Sequence, residues 1–83
     1  MKIEVIQEYS SLYLLLTYNN RKYSTDIEMI NILELSDEEY ENILIKCGGH
    51  KKERGGLYFN IKEDAEKCIE ALDPYLIMAK LIE

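Results

Sequence analysis

Two capped amphipathic segments constrain the fold of this 83-residue chain more than any other feature. Ser36 with Glu39, and Asn60 with Glu63, have the capping-box spacing, in which the first side chain bonds an early backbone N–H of a helix and the Glu bonds back. Apolar residues then recur at i, i+3, i+4 and i+7, which is typical of one helix face. The two apolar stripes are Tyr40, Ile43, Leu44 and Cys47, then Ala65, Cys68, Ile69 and Leu72. The sequence therefore predicts two helices.

Glycine and proline mark where these helices end. Gly48-Gly49 follows the first stripe, and glycine accepts the left-handed conformation that ends many helices. Pro74 follows the second stripe and removes a helical hydrogen bond. Asp73-Pro74 could start a third short helix, but the apolar run that begins the tail, residues 75–82, has no single stripe. We therefore predict that the tail is a strand.

The first part of the chain has the pattern of strands joined by tight turns. Residues 2–8 alternate in part, and residues 12–18 are apolar on both faces, as in a strand covered on both sides. Residues 23–29 alternate between apolar and polar. Ser10-Ser11 and Asn19-Asn20 are short enough for hairpin turns, and Asn tolerates positive φ. These features predict an antiparallel meander.

With a further short strand at residues 57–59, the predicted order is β-β-β-α-β-α-β. This is an α+β fold in which two helices pack on one face of a mainly antiparallel sheet. We predict one domain over residues 1–83, since the length leaves no room for a second. The first residues lack the apolar run of a signal peptide and no membrane span is evident, which predicts a cytoplasmic location.

The charge distribution favours a basic protein surface as the partner. The chain carries 16 acidic and 10 basic residues, a net charge of −6, whereas proteins that bind nucleic acid or anionic membranes directly usually carry a basic surplus. Residues 23–45 contain no Lys or Arg. We predict partner-binding roles for Asp26, Glu28, Glu34, Asp37, Glu38 and Glu41. The alternative is that these carboxylates are a solvated face, with those in the first helical turn stabilised by the helix dipole.

The remaining motifs do not support catalysis or a cofactor. The Gly48–Gly56 loop contains a basic cluster, but it follows a helix C-terminus, whose dipole has the wrong sign for binding phosphate. We interpret it as a solvated or partner-contacting loop. Cys47, His50 and Cys68 lack a fourth zinc ligand, and we predict that both cysteines are reduced core residues. No carboxylate pair is placed in an apolar cleft, so we predict no enzyme activity, no cofactor and no metal.

Tyrosine is the dominant aromatic residue, with seven Tyr, one Phe and no Trp. We expect Tyr40 and Tyr23 in the core. A small domain rarely buries seven phenols with satisfied hydroxyls, so several others should lie at the surface, where Tyr is enriched in interfaces.

Two stretches resemble small uncharacterised proteins encoded by phages and prophages of Gram-positive bacteria. They are Leu35-Ser36-Asp37-Glu38-Glu39-Tyr40 with Ile43-Leu44 and Gly48-Gly49, and the run from Tyr58 to Lys67 with Asp73-Pro74-Tyr75. Small acidic phage proteins of this size include anti-CRISPR proteins and other inhibitors of host enzymes. The resemblance thus implies an inhibitor, and it carries over no functional residues.

We therefore predict a non-catalytic, acidic protein-binding module that blocks a basic, nucleic-acid-handling host protein in the cytoplasm of the host cell. The alternative is a small-ligand-binding regulatory domain that acts as a homodimer. That function would require an apolar pocket with convergent polar groups. An enzyme would require a cleft with strongly perturbed carboxylates or a Cys–His pair.

Overall fold

The computed structural model of the chain describes residues 2–24, 26–53 and 55–82, with side chains as far as residue 79. Its first part is an antiparallel meander of β1 (Lys2–Glu8), β2 (Ser11–Tyr18) and β3 (Arg21–Tyr23), in the order β1-β2-β3. Asn19 and Asn20 form the second turn with φ of 50° and 62°, as a type I′ hairpin requires. The first turn is Tyr9-Ser10, one residue earlier than predicted.

The meander has one face in the core. Ile3 lies opposite Leu16, and Val5 opposite Leu14, so alternate residues of both strands share that face. Ile6, Tyr13 and Leu15, on the other face, are half-buried and lie outside the core cluster. The prediction that β2 is covered on both sides was therefore wrong, since the apolar residues of its second face are not part of the core.

The predicted strand over residues 23–29 was also wrong. β3 ends at Tyr23, and Asp26–Leu33 forms a helix, α1. Met29 and Leu33 are both buried, and their spacing of four places them on one helical face. The same segment also alternates over a few residues, so its pattern fits both periods, and packing against the last helix favours the helical one. Thr25, which the prediction included, lies outside the described residues.

Helix α1 ends at a residue in the left-handed conformation. Glu34 has φ of 55°, and the Leu35 N–H donates to the Ile30 carbonyl at 3.1 Å. This is the hydrogen bond of a Schellman motif, in which glycine is the usual left-handed residue. Glu34 therefore occupies a position that costs a residue with a Cβ about 1–2 kcal/mol.

Helix α2 (Asp37–Lys46) has the predicted cap and stop. The Glu39 N–H donates to Ser36 Oγ at 3.1 Å, and the Ser36 hydroxyl donates to Glu39 Oε1 at 3.0 Å. At the other end, Gly48 has φ of 102°, and the Gly49 N–H donates to the Leu44 carbonyl at 2.8 Å. The positive φ favours glycine at this position, and a Cβ on Gly48 would also displace the Asp64 carboxylate, whose Oδ2 would lie only 2.5 Å away.

The segment that follows α2 is a small hairpin. β4 (His50–Lys51) pairs with β5 (Leu57–Tyr58), so the predicted Gly48–Gly56 loop contains a strand. Arg54 lies outside the described residues. Leu12 and Phe59 exchange two backbone hydrogen bonds of 2.8 Å. These bonds join the hairpin to the part of β2 that β3, which pairs only with Leu16–Tyr18, does not reach. The strand predicted at residues 57–59 is confirmed over Leu57–Tyr58, and Phe59 forms an isolated β-bridge with Leu12.

The last helix, α3, spans Lys62–Ile82 and passes through Pro74, so the predicted tail strand was wrong. Leu72 and Leu76 are both buried and continue the apolar stripe across the proline, and burial of Leu76 offsets the backbone hydrogen bond that Pro74 removes. Ile77 and Met78 are 55% and 63% exposed, which explains why the tail has no single stripe. α3 begins two residues after Asn60, and none of the described side-chain hydrogen bonds caps it from Asn60.

The α+β class is confirmed, with three helices rather than two and the order β-β-β-α-α-β-β-α over the described residues. The largest fully buried side chains come from all three helices, from β2 and from the segment after β5. They are Tyr40, Phe59, Leu16, Met29, Leu44, Leu72 and Cys68. Within the described ranges, the helices are too short or too polar to cross a membrane.

We predict that Glu34→Gly raises the free energy of unfolding by about 0.5–1 kcal/mol. Glycine adopts the left-handed conformation without the Cβ penalty, which outweighs the extra entropy of the unfolded chain. Urea titration followed by circular dichroism measures the change. Glu34→Ala is the matched control, since it also removes the charge but keeps a Cβ. Equal effects of the two substitutions would contradict the conformational explanation.

Candidate functional site

The carboxylate of Asp26 joins three elements of the fold. Asp26 is the first residue of α1 and is half-buried. The Tyr40 hydroxyl, from α2, donates to its Oδ1 at 3.1 Å, and the Leu57 N–H, from β5, donates to its Oδ2 at 3.0 Å. The expectation that Asp26 lies on the solvent face of a strand is therefore wrong, because Asp26 is half-buried at the start of a helix.

Burial changes the acidity of this pair. Desolvation raises the pKa of Asp26 above its usual 3.8, although the hydrogen bonds from Tyr40 and Leu57 and the nearby Lys52 charge act in the opposite direction. Burial, with the negative charge of Asp26, raises the pKa of the Tyr40 hydroxyl far above its usual range. Tyr40 therefore remains a neutral donor, and both Asp26 oxygens are engaged by the protein itself. These contacts indicate a structural role for the pair.

Asp26 also lies at the centre of an open surface groove, which we call the Asp26 groove. Its first section has a volume of about 320 Å³. The first section is lined by Tyr13, Ser24, Asp26, Ile27, Lys52, Gly55, Gly56 and Leu57. The second section, of about 190 Å³, adds α2 residues. The second section is lined by Asp26, Ile27, Ile30, Asp37, Tyr40, Glu41, Lys51, Gly56 and Leu57. The sections share their central residues, so they form one groove.

The two ends of the Asp26 groove differ in charge. At the hairpin end, Lys52 Nζ lies 4.4 Å from the centre of the Tyr13 ring, a cation–π contact. At the α2 end, the acidic Asp37 and Glu41 lie near Lys51, whose Nζ is 3.3 Å from Glu41 Oε1. Both lysines are thus already in contact with groups of the same chain, while Asp37 is exposed to solvent.

The structure brings together three of the six predicted partner-binding residues. Asp26, Asp37 and Glu41 line the second section of the groove. Glu28 and Glu38 are exposed on α1 and α2. Glu34 lies instead in a separate cleft of about 160 Å³ that includes Glu39, Tyr75 and Met78. The predicted acidic face is therefore divided between a groove, two exposed helix positions and a cleft.

Sequence reasoning missed the apolar part of the groove. Ile27 is 73% exposed and lines both sections. The strand prediction had assigned Ile27 to an apolar strand face. A helical reading of residues 26–33, with Met29 and Leu33 as the buried pair, would have placed Ile27 on the outside.

The tyrosines are less exposed than predicted. Tyr40 is buried as expected, whereas Tyr23 is only half-buried. Among the described tyrosines, only Tyr9, at 96%, is fully exposed. Tyr58 lies against His50, with ring centres 5.4 Å apart.

The cysteines are both free thiols. Cys68 is buried in α3, whereas Cys47 is half-buried at the end of α2, so the burial prediction is confirmed for Cys68 only. Burial raises the pKa of the Cys68 thiol, with a contribution from the neighbouring Cys47, and a buried thiol with raised pKa is a poor nucleophile. No group of three His, Cys, Asp or Glu side chains within the described residues is placed to hold a metal ion.

No family model, curated protein or solved structure matches this chain.

We predict that Asp26→Ala lowers the free energy of unfolding by about 1–3 kcal/mol, because it leaves the Tyr40 hydroxyl and the Leu57 N–H without their carboxylate acceptor. Chemical denaturation at pH 7 measures this loss. Asn31→Ala is the control, since Asn31 is exposed on the same helix, and it should change stability by less than about 0.5 kcal/mol. Equal losses in the two variants would contradict the structural role.

The loss should also depend on pH. The pKa of Asp26 is raised in the folded state, so the folded protein holds the Asp26 proton more tightly than the unfolded chain does. The resulting contribution to the free energy of unfolding is fully present below the unfolded pKa, and it is lost as the pH rises through the folded pKa. The difference between wild type and Asp26→Ala should therefore be larger at about pH 4 than at pH 7. A smaller difference in acid would mean that Asp26 titrates in the opposite direction.

Proposed function

We propose that this protein is a non-catalytic binding domain that contacts a basic surface of another protein. The observation that carries the proposal is the combination of Asp37 and Glu41 with the exposed Ile27 along one groove. An apolar side chain beside carboxylates suits a partner whose Lys or Arg side chains cover apolar surface with their stems while their charged ends meet the acids.

The carboxylates around the groove support this proposal. Glu28 and Glu38 are exposed on the helices that border the groove, and the net charge of −6 favours association with a basic surface. Asp26 is not part of the proposed contact, since its two oxygens already bond Tyr40 and Leu57. Glu41 also pairs with Lys51, but that ion pair lies at the surface, where a cation of the partner can replace Lys51 at little cost. The proposed partner-binding set is therefore Ile27, Glu28, Asp37, Glu38 and Glu41.

The resemblance to phage proteins extends the proposal to an inhibitor. A nucleic-acid-handling protein of the host presents a basic groove, and an acidic domain seated there would compete with the phosphate backbone for the same Lys and Arg side chains. The proposal therefore includes competition: the partner's affinity for nucleic acid should fall when this protein is added. The support for this extension is the acidic charge and the resemblance alone.

We predict that Glu38→Lys weakens binding to the partner by about ten-fold or more, because it places a like charge against the basic surface. The control is Glu63→Lys, which makes the same charge change at the same second position of another helix. Any helix-dipole cost, a few tenths of a kcal/mol, is then common to both. Each variant is immobilised beside wild type, and capture of binding proteins is compared at low and high salt.

The proposal requires a protein that wild type and Glu63→Lys retain, that Glu38→Lys loses, and that high salt releases. Ile27→Ala should weaken its capture, whereas Ile61→Ala, which trims another exposed Ile that does not line the groove, should not. A captured protein that binds Glu38→Lys and Glu63→Lys equally well, or whose binding does not change with salt, would contradict the acidic-surface proposal. Circular dichroism and thermal unfolding confirm that each variant folds.

The second candidate is a small-ligand-binding domain. The observation that favours it is the size of the first groove section, about 320 Å³, which is at the lower end of the range for ligand sites. We expect no saturable chemical-shift changes at Tyr13 or Gly56 when metabolite mixtures are titrated against the labelled protein. Saturable shifts confined to the Asp26 groove would favour this candidate over protein binding.

A further inference from the structure

Strand β1 has an open edge. The sheet order is β1-β2-β3, so β2 lies on one side of β1 and no strand of the described residues lies on the other. The backbone hydrogen bonds that link described residues outside the regular strands and helices do not end on β1. An open strand edge is a template for pairing with another chain.

The register shows which backbone groups this edge presents. Glu8 and Ser11 flank the two-residue turn, so they form a hydrogen-bonded pair. Hydrogen-bonded and non-hydrogen-bonded pairs alternate along an antiparallel ladder. The N–H and C=O groups of Ile3, Val5 and Gln7 therefore point away from β2, toward the open edge.

We propose that β1 pairs antiparallel with β1 of a second copy of this chain, with Val5 on the two-fold axis. Val5 then lies opposite Val5, and Ile3 opposite Gln7, so every outward-pointing residue between Ile3 and Gln7 meets another outward-pointing residue. This match allows a full ladder of backbone hydrogen bonds across the axis. The proposal is independent of the acidic binding surface.

The charged side chains of β1 favour an axis at Val5 over an axis at Glu4 or Ile6. With Val5 on the axis, Lys2 of each copy lies directly opposite Glu8 of the other, which gives two opposite-charge pairs by symmetry. An axis at Glu4 would place the two Glu4 side chains opposite each other. An axis at Ile6 would place Glu4 opposite Glu8. Both alternatives also place outward-pointing residues opposite each other, but they bring like charges together.

The helical layer is compatible with this pairing. Helix α3 packs on both β1 and β2, and paired strands lie about 4.8 Å apart. The two copies of α3 would then run side by side on one face, about 10 Å apart, which is an ordinary helix–helix distance. Helical spacing places Ile69, Asp73 and Ile77 on the other flank of α3 from Tyr75 and Met78, which line the cleft beside α1 and α2. Ile77 is 55% exposed in the single chain, and the second α3 would cover it.

Analytical ultracentrifugation over a dilution series tests the proposal. Wild type should approach twice the chain mass of 9.8 kDa at high concentration, with the weak affinity of a small interface. Lys2→Glu alone, or Glu8→Lys alone, places like charges opposite each other and should weaken the dimer roughly ten-fold. The double variant Lys2→Glu with Glu8→Lys restores the opposite pairing and should recover to within about three-fold of wild type.

A cross-linking experiment tests the register itself. Val5→Cys places a cysteine on the axis, opposite its own copy at about 5.5 Å between Cα atoms, a distance that a disulfide spans. Under diamide, which takes up the two hydrogens of the thiols as the S–S bond forms, Val5→Cys should become a covalent dimer. Gln7→Cys is the control, since Gln7 faces Ile3 of the other copy. Wild type under diamide controls for Cys47.

The outcomes distinguish the proposal from its alternatives. A monomer at every concentration that also fails to cross-link at Val5→Cys overturns it. A dimer that the single charge reversals leave unchanged, or that cross-links at Gln7→Cys, overturns the Val5 register. Lys2 and Glu8 are both exposed, so loss of folding does not explain a weaker dimer, and matching thermal unfolding of the variants confirms this. None of these results depends on binding to a basic partner.

Discussion

The hydrogen bonds to the Asp26 carboxylate organise the part of the molecule where the helices meet the hairpin. Tyr40 is 1% exposed, and its hydroxyl is directed at Asp26 Oδ1. The other oxygen accepts the N–H of Leu57, the first residue of β5. One half-buried carboxylate therefore sets the positions of α1, α2 and the β4–β5 hairpin together, and a buried donor left without this acceptor would carry a desolvation cost.

This internal role limits what the acidic surface can do. A carboxylate whose two oxygens both accept hydrogen bonds within the chain has little capacity to bind a partner. Burial also raises the pKa of Asp26 above its usual value, which disfavours its charged form. The charges open to a partner are those that the fold leaves at the surface, such as Asp37 and Glu38 at the start of α2. Asp26 positions them because it holds α1 against α2. A residue predicted to bind a partner thus supports the proposed binding surface from within.

The sheet and the helices present two different surfaces. The acidic groups of α1 and α2 border the Asp26 groove, while the open backbone edge belongs to β1, the first strand of the sheet. A domain with separate surfaces can bind a copy of itself and a basic partner at once. Two linked acidic surfaces would then gain from multivalent attachment to a partner with two basic sites.

Local patterns determined the elements whose evidence lies within a few residues. The Ser36 cap, the glycine stop of α2 and the Asn19-Asn20 turn follow from side chains that bond or bend the backbone next to them, and all three were predictable. The six surface carboxylates were identifiable as acidic, but their grouping into a groove, two helix positions and a cleft was not.

Tertiary packing decided the segments whose patterns fit two periods. Residues 26–29 alternate like a strand, yet α1 forms because Met29 and Leu33 bury together and the Asp26 carboxylate binds Tyr40 and Leu57, partners that lie 14 and 31 residues away. Pro74 suggests a stop, yet α3 continues because Leu76 reaches the same core as Leu72. A short sequence window contains neither the distant hydrogen-bond partners nor the core in which burial of Leu76 stabilises the longer helix. Only the folded chain therefore determines these elements.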